Sequence, residues 1–148
     1  MNTKLNVNLC DEMMLEIMET LRKPFKEIEE WLSQDFKGIM ENLWIDFELS
    51  KIVSDQRPPF KFRFQKRVSG KSNLSGIEFP DNYNVGHYSV RPNFDEIFKV
   101  ENVITYSLNL IYESTEILIE KQKRLGGFDA LKFRSEFLKG CAKFGYKI

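Results

Sequence analysis

From Asp95 to Arg124 the chain runs 30 residues without a glycine or a proline, and no other stretch constrains the fold as strongly. At 1.5 Å per residue a helix of that length spans about 45 Å. That is more than the roughly 38 Å diameter expected for a compact 148-residue chain, so the helix must pair along its length or project. Ile97, Ile104, Ile111, Leu118 and Leu125 recur every seven residues, with Val103, Leu110 and Ile117 one position earlier. Ser107 and Ser114 lie beside the stripe, where small side chains let a neighbouring helix approach closely. Asn93 or Asp95 can cap the start, Lys121, Lys123 and Arg124 suit the negative end, and Gly126-Gly127 stops the element. A last helix is expected at about 128–144, with Ala130, Phe133, Phe137, Cys141 and Phe144 on one stripe.

The N-terminal third also carries helical spacing. Met14, Ile17, Leu21, Phe25, Ile28, Leu32, Phe36, Ile39, Leu43 and Phe47 advance in steps of 3, 4 and 4, which is 3.67 residues per turn. This spacing predicts a helical pair over about 9–54, kinked at Pro24, where a backbone donor is lost. Gly38 weakens the run further. The polar face is rich in Glu and Asp, so packing in a core is favoured over an anionic lipid surface.

Pro58-Pro59 ends the helical region. Phe60, Phe62 and Phe64 then alternate with Lys61, Arg63 and Gln65, the period of a half-buried strand. Gly76 to Phe79 and Val85 to Arg91 are shorter candidates, with turn residues at Ser69-Gly70 and Pro80-Asp81-Asn82. The expected fold is therefore α+β and predominantly α, a single domain over 1–148. Three or four helices pack lengthwise, and a small antiparallel meander of two or three strands is inserted at about 58–91.

Charge sums to zero, 22 basic against 22 acidic residues, but its sign alternates along the chain. Residues 1–55 are net −6, 56–75 net +6, 76–120 net −6 and 121–148 net +6. Acidic helices packed beside basic segments account for this internally; an exposed basic face presented to a partner is the other outcome. The candidate contacts are Arg57, Lys61, Arg63, Lys66, Arg67 and Lys71 around the first strand, with Lys132, Arg134, Lys139 and Lys143 in the tail.

Catalytic and metal motifs fail on spacing. Gly70-Lys71-Ser72 resembles the end of a phosphate-binding loop, but Gln65 stands where the motif needs glycine. Pro80-Asp81 is followed only by Glu96-x-x-Lys99, the wrong spacing for a metal nuclease. His87 is the only histidine, so any histidine chemistry passes through it, with Glu78, Asp81 and Tyr88 near in sequence. Cys10 and Cys141 sit in apolar contexts and form no metal or disulfide pattern, which suits a reducing cytoplasm. No cofactor, metal or membrane segment is expected.

These observations lead to the expectation of a non-catalytic cytoplasmic binding protein acting through a protein–protein interface, such as an inhibitor or a toxin-neutralising, immunity-type protein. The alternatives are a nucleic-acid-binding protein using the basic 57–71 strand face, and a small enzyme using His87. Homodimerisation through the 97–125 helix is the further partner reading.

Overall fold

In a computed structural model, the residues described are 2–9, 15–35, 42–49, 66–68, 72–78, 85–92, 94–125 and 130–148. In chain order they form β1 (Asn2–Leu9), α1 (Leu15–Asp35), β2 (Asn42–Leu49), β3 (Lys66–Val68), β4 (Ser72–Glu78), β5 (Val85–Pro92), the single-turn α2 (Phe94–Ile97), α3 (Val103–Leu125) and α4 (Ala130–Lys143). The chain is an α+β protein, with more of the described residues in helix than in strand.

The strands make one mixed sheet in the order β1-β2-β5-β4-β3. β1, β2 and β5 are parallel neighbours, whereas β5, β4 and β3 pair antiparallel. Parallel strands need a crossover, and α1 supplies it between β1 and β2. A meander was expected as an insertion at about 58–91 within the domain; its described strands, β3 to β5, are continuous with the central sheet through the β2–β5 ladder. The strand expected at Phe60–Phe64 lies outside the described residues, as do Pro58-Pro59 and Gly126-Gly127.

Two expected helical segments are corrected. The N-terminal pair at 9–54 is a β-α-β unit. Leu21, Phe25, Ile28 and Leu32 are buried on α1 as helical spacing requires, but Leu43 and Phe47 belong to β2. A step of four fits both periods, and Leu43, Ile45, Phe47 and Leu49 together alternate as a strand. Pro24 does not split α1, which runs unbroken through it. The helix at 95–124 is also divided. Its start is at Val103, where the Asn102 side-chain oxygen accepts from the Thr105 amide at 3.0 Å, an N-cap inside the uninterrupted run.

One face of the sheet is apolar. Register aligns Leu5 with Ile45 and Tyr88, and Val7 with Phe47 and Val90. Leu5, Ile45, Phe47, Leu49 and Val90 are buried there. α1 packs on β1, and its Phe25 meets Phe47 of β2 edge-to-face with centroids 5.5 Å apart. α3 packs on β5 and β3 and touches α1, so the two helices share this face. Against both of them lies α4, through Ala130, Phe133, Phe137, Gly140 and Cys141. Leu108, Leu110, Ile111, Ser114 and Thr115 of α3 are buried within the chain.

α1 also closes the outer edge of β1. Ser33 Oγ accepts from the Thr3 amide at 3.3 Å and donates to the Thr3 carbonyl at 3.0 Å, and Glu29 Oε2 accepts from the Leu5 amide at 2.9 Å. Exposed strand edges template unwanted pairing, and these bonds remove that template.

Where α1 meets α4, the Trp31 indole Nε1 donates to the Glu136 carbonyl at 2.9 Å. The ring lies so close to Gly140 that an added Cβ would sit 2.6 Å from Trp31 Cδ1. Gly140→Ala is therefore expected to destabilise the fold by about 1–3 kcal/mol in urea denaturation, through overpacking. Removing the ring in Trp31→Ala should make the second substitution, Gly140→Ala, nearly neutral in the double variant.

Candidate interaction surface

α4 turns its apolar stripe inward and keeps a second apolar row outside. Leu131, Ser135, Leu138 and Ala142 follow helical steps of 4, 3 and 4, and all four are exposed. Leu131 is 58% exposed and Leu138 39%, large values for leucines of a packed helix. Beside this row runs a second one with the same spacing, Lys132, Glu136, Lys139 and Lys143. Arg134 lies on the row's other flank. A leucine seam is thus bordered by four cations and one carboxylate.

These cations are held by neighbours. Lys139 Nζ is 3.1 Å from Glu136 Oε1, and Lys143 Nζ stands 4.6 Å from the Trp31 ring centroid. Arg134 Nε donates to the Tyr112 hydroxyl at 2.8 Å while its guanidinium covers the Tyr112 ring at 4.7 Å. That contact ties α4 to α3 and fixes the guanidinium at the border of the leucine row. Pre-positioned cations lose less side-chain entropy when a partner arrives.

The end of α4 is equally well fixed. Gly145, at φ 78°, takes the left-handed position that ends the helix. The Gly145 amide donates to the Ala142 carbonyl at 3.2 Å and the Tyr146 amide to the Cys141 carbonyl at 2.9 Å, a Schellman cap. The Tyr146 hydroxyl is pushed above its ordinary pKa by burial and by the charge and hydrogen bond of Glu27. The terminal segment thereby joins α1.

The ten candidate contact residues fall into three groups. Lys132, Arg134, Lys139 and Lys143 come together on α4. Lys66 and Arg67 are in β3, at the edge of the sheet opposite β1. Arg57, Lys61, Arg63 and Lys71 lie outside the described residues. Leu131 and Leu138 were missed in the sequence, although two leucines seven apart and off the Phe133–Phe137 stripe are a legible sign of an outer row.

His87 stands on β5 in register with Trp44 of β2 and Glu78 of β4. Ser89, two residues on, is in register with Asp46. The ladder therefore brings Glu78 beside His87, and it adds Asp46 and Ser89 to the same sheet face, which spacing along the chain did not reveal. Tyr88 points its register position to the opposite face, and Asp81 and Cys10 are outside the described residues. Among the described residues no group of three His, Cys, Asp or Glu could hold a metal ion, and no helix is long and apolar enough to cross a membrane.

Comparison with protein-family models, curated proteins and solved structures finds no match for this chain.

Cys141 is buried, and desolvation raises its thiol from 9.0 to about 12. In a Cys10→Ser background the folded protein should leave Ellman's reagent unreacted at pH 8 and react once unfolded. Because the folded-state pKa is the higher one, this thiol's contribution to stability holds below about pH 9 and is lost as pH rises towards 12. Rapid labelling of the folded protein would contradict the buried placement.

Proposed function

We propose that this chain is a non-catalytic, cytoplasmic binding protein that engages an acidic protein partner through the outer face of α4. The exposed leucine row carries the reading. Leucines at 58% and 39% exposure on one helix face, with cations on both flanks, match the anatomy of a protein interface, apolar at the centre and polar at the rim. A helix-in-groove contact read at positions 131, 135, 138 and 142 fits the observed spacing. The basic border selects a partner whose groove is rimmed with carboxylates, and an inhibitor or immunity-type protein works by such complementarity.

Nucleic-acid binding draws on the same cations but has no use for two solvent-facing leucines between them. A phosphate-binding face would also exclude Glu136 from the basic row, where its carboxylate sits 3.1 Å from Lys139.

Affinity capture with and without nuclease, followed by purification of the retained partner, tests the proposal. Each leucine buried at an interface contributes about 1.5–3 kcal/mol. Leu131→Asp with Leu138→Asp should therefore weaken binding at least ~100-fold while leaving the circular dichroism spectrum unchanged. Lys132→Glu with Lys139→Glu should slow association and flatten its salt dependence. Nuclease-sensitive capture, or binding of generic DNA or RNA at 50 mM salt that the leucine variant retains, would sink the proposal.

A further inference from the structure

On the far side of α1 from α4, a groove of about 220 Å³ runs between α1 and β1, lined by Asn6, Val7, Arg22, Phe25, Lys26 and Glu29. Its construction follows from how α1 closes the β1 edge. In a parallel ladder, alternate residues direct their backbone groups to the same side. Thr3 and Leu5 direct theirs to α1, where Ser33 and Glu29 supply acceptors one helical turn apart. Val7, the next residue in that series, directs its amide to the same edge. Of the α1 positions before Glu29 that line the groove, Phe25 and Lys26 stand one turn away and Arg22 two turns away, and they bring an aromatic ring and two cations but no acceptor. Donors therefore predominate where the neighbouring turns of the helix place acceptors.

We propose that this groove binds a short aliphatic monocarboxylate. Its oxygens would accept from the Val7 amide, as the Glu29 carboxylate does from the Leu5 amide, with Arg22 and Lys26 balancing the charge. The apolar stem would lie against Val7 and the aliphatic parts of Arg22 and Lys26. The Arg22–Glu19 pair, 3.7 Å apart with both side chains about 60% exposed, is weak enough to exchange for a bound anion. Glu29 in the lining and Glu27 and Glu30 on the adjoining surface disfavour a dianion, so the site selects a single negative charge over a phosphate. The same chemistry can arrive as a free acid or as an acidic side chain of another protein. The groove is independent of the α4 surface, and neither reading needs the other.

Titration of ¹⁵N-labelled protein with sodium butyrate, against sodium chloride at matched ionic strength, tests this through the Val7 amide resonance. Butyrate should produce a saturable shift of that amide which chloride does not. Arg22→Gln with Lys26→Gln should weaken it at least tenfold, both residues being exposed enough to leave the fold intact. Acetylated aspartate amide binding as tightly as butyrate would support the site as a receptor for a protein side chain. Butyrate binding alone would support it as a receptor for a free acid. Inorganic phosphate binding more tightly than butyrate, a Val7 amide that follows only ionic strength, or butyrate shifts unchanged in the double variant would each overturn the proposal.

Discussion

The hydrogen bonds that join the β1 backbone to Ser33 and Glu29 are the constraint on which the rest of the structure depends. A parallel β1–β2 pair leaves β1 with an open edge, and its buried backbone groups must find partners. α1 provides them one turn apart, while the adjoining face of the same helix buries Leu21, Phe25, Ile28 and Leu32. One helix therefore covers the sheet and closes it. With β1 fixed, β2 becomes an interior strand whose second ladder is free for β5, and through β5 the antiparallel strands join the same sheet.

The helical layers follow from that placement. α1 and α3 fill the apolar face of the sheet side by side, and the seam between them presents Trp31 and Tyr112 to α4. Phe133 and Phe137 fill the seam, with Gly140 letting the Trp31 ring approach. α4 is then apolar on two sides. One is spent on the core, and the other, Leu131 to Ala142, faces solvent between cations. Within the zero net charge of the chain, α1, which closes the sheet edge, carries three basic and six acidic residues, and α4, which borders the apolar row, carries four basic and one acidic.

How much of this was legible depended on whether a spacing had one meaning. Phe133, Phe137 and Cys141 could only be a helical stripe, and α4 lies within one or two residues of the expected 128–144. The step from Leu43 to Phe47 had two meanings, and extending the helical beat through it concealed β2. The alternation of Leu5, Val7 and Leu9 with Lys4, Asn6 and Asn8 was visible but short. The break before α3 was harder to see: intervals of seven from Ile97 to Ile104 continue across the turn, so only Asn102 as a cap marks it. Edge closure by Ser33 and Glu29, and the register of His87 with Glu78 and of Ser89 with Asp46, depend on strand pairing, which no local pattern encodes.

Amide hydrogen exchange at Thr3 and Leu5 tests this account most directly. If α1 closes the β1 edge, both amides exchange only through opening of the β-α-β unit, with protection similar to that of the β2 ladder. Ser33→Ala should then release Thr3, and Glu29→Ala should release Leu5, each leaving the other protected. Exchange of both amides at the rate of an unstructured peptide in the wild-type protein would contradict the account.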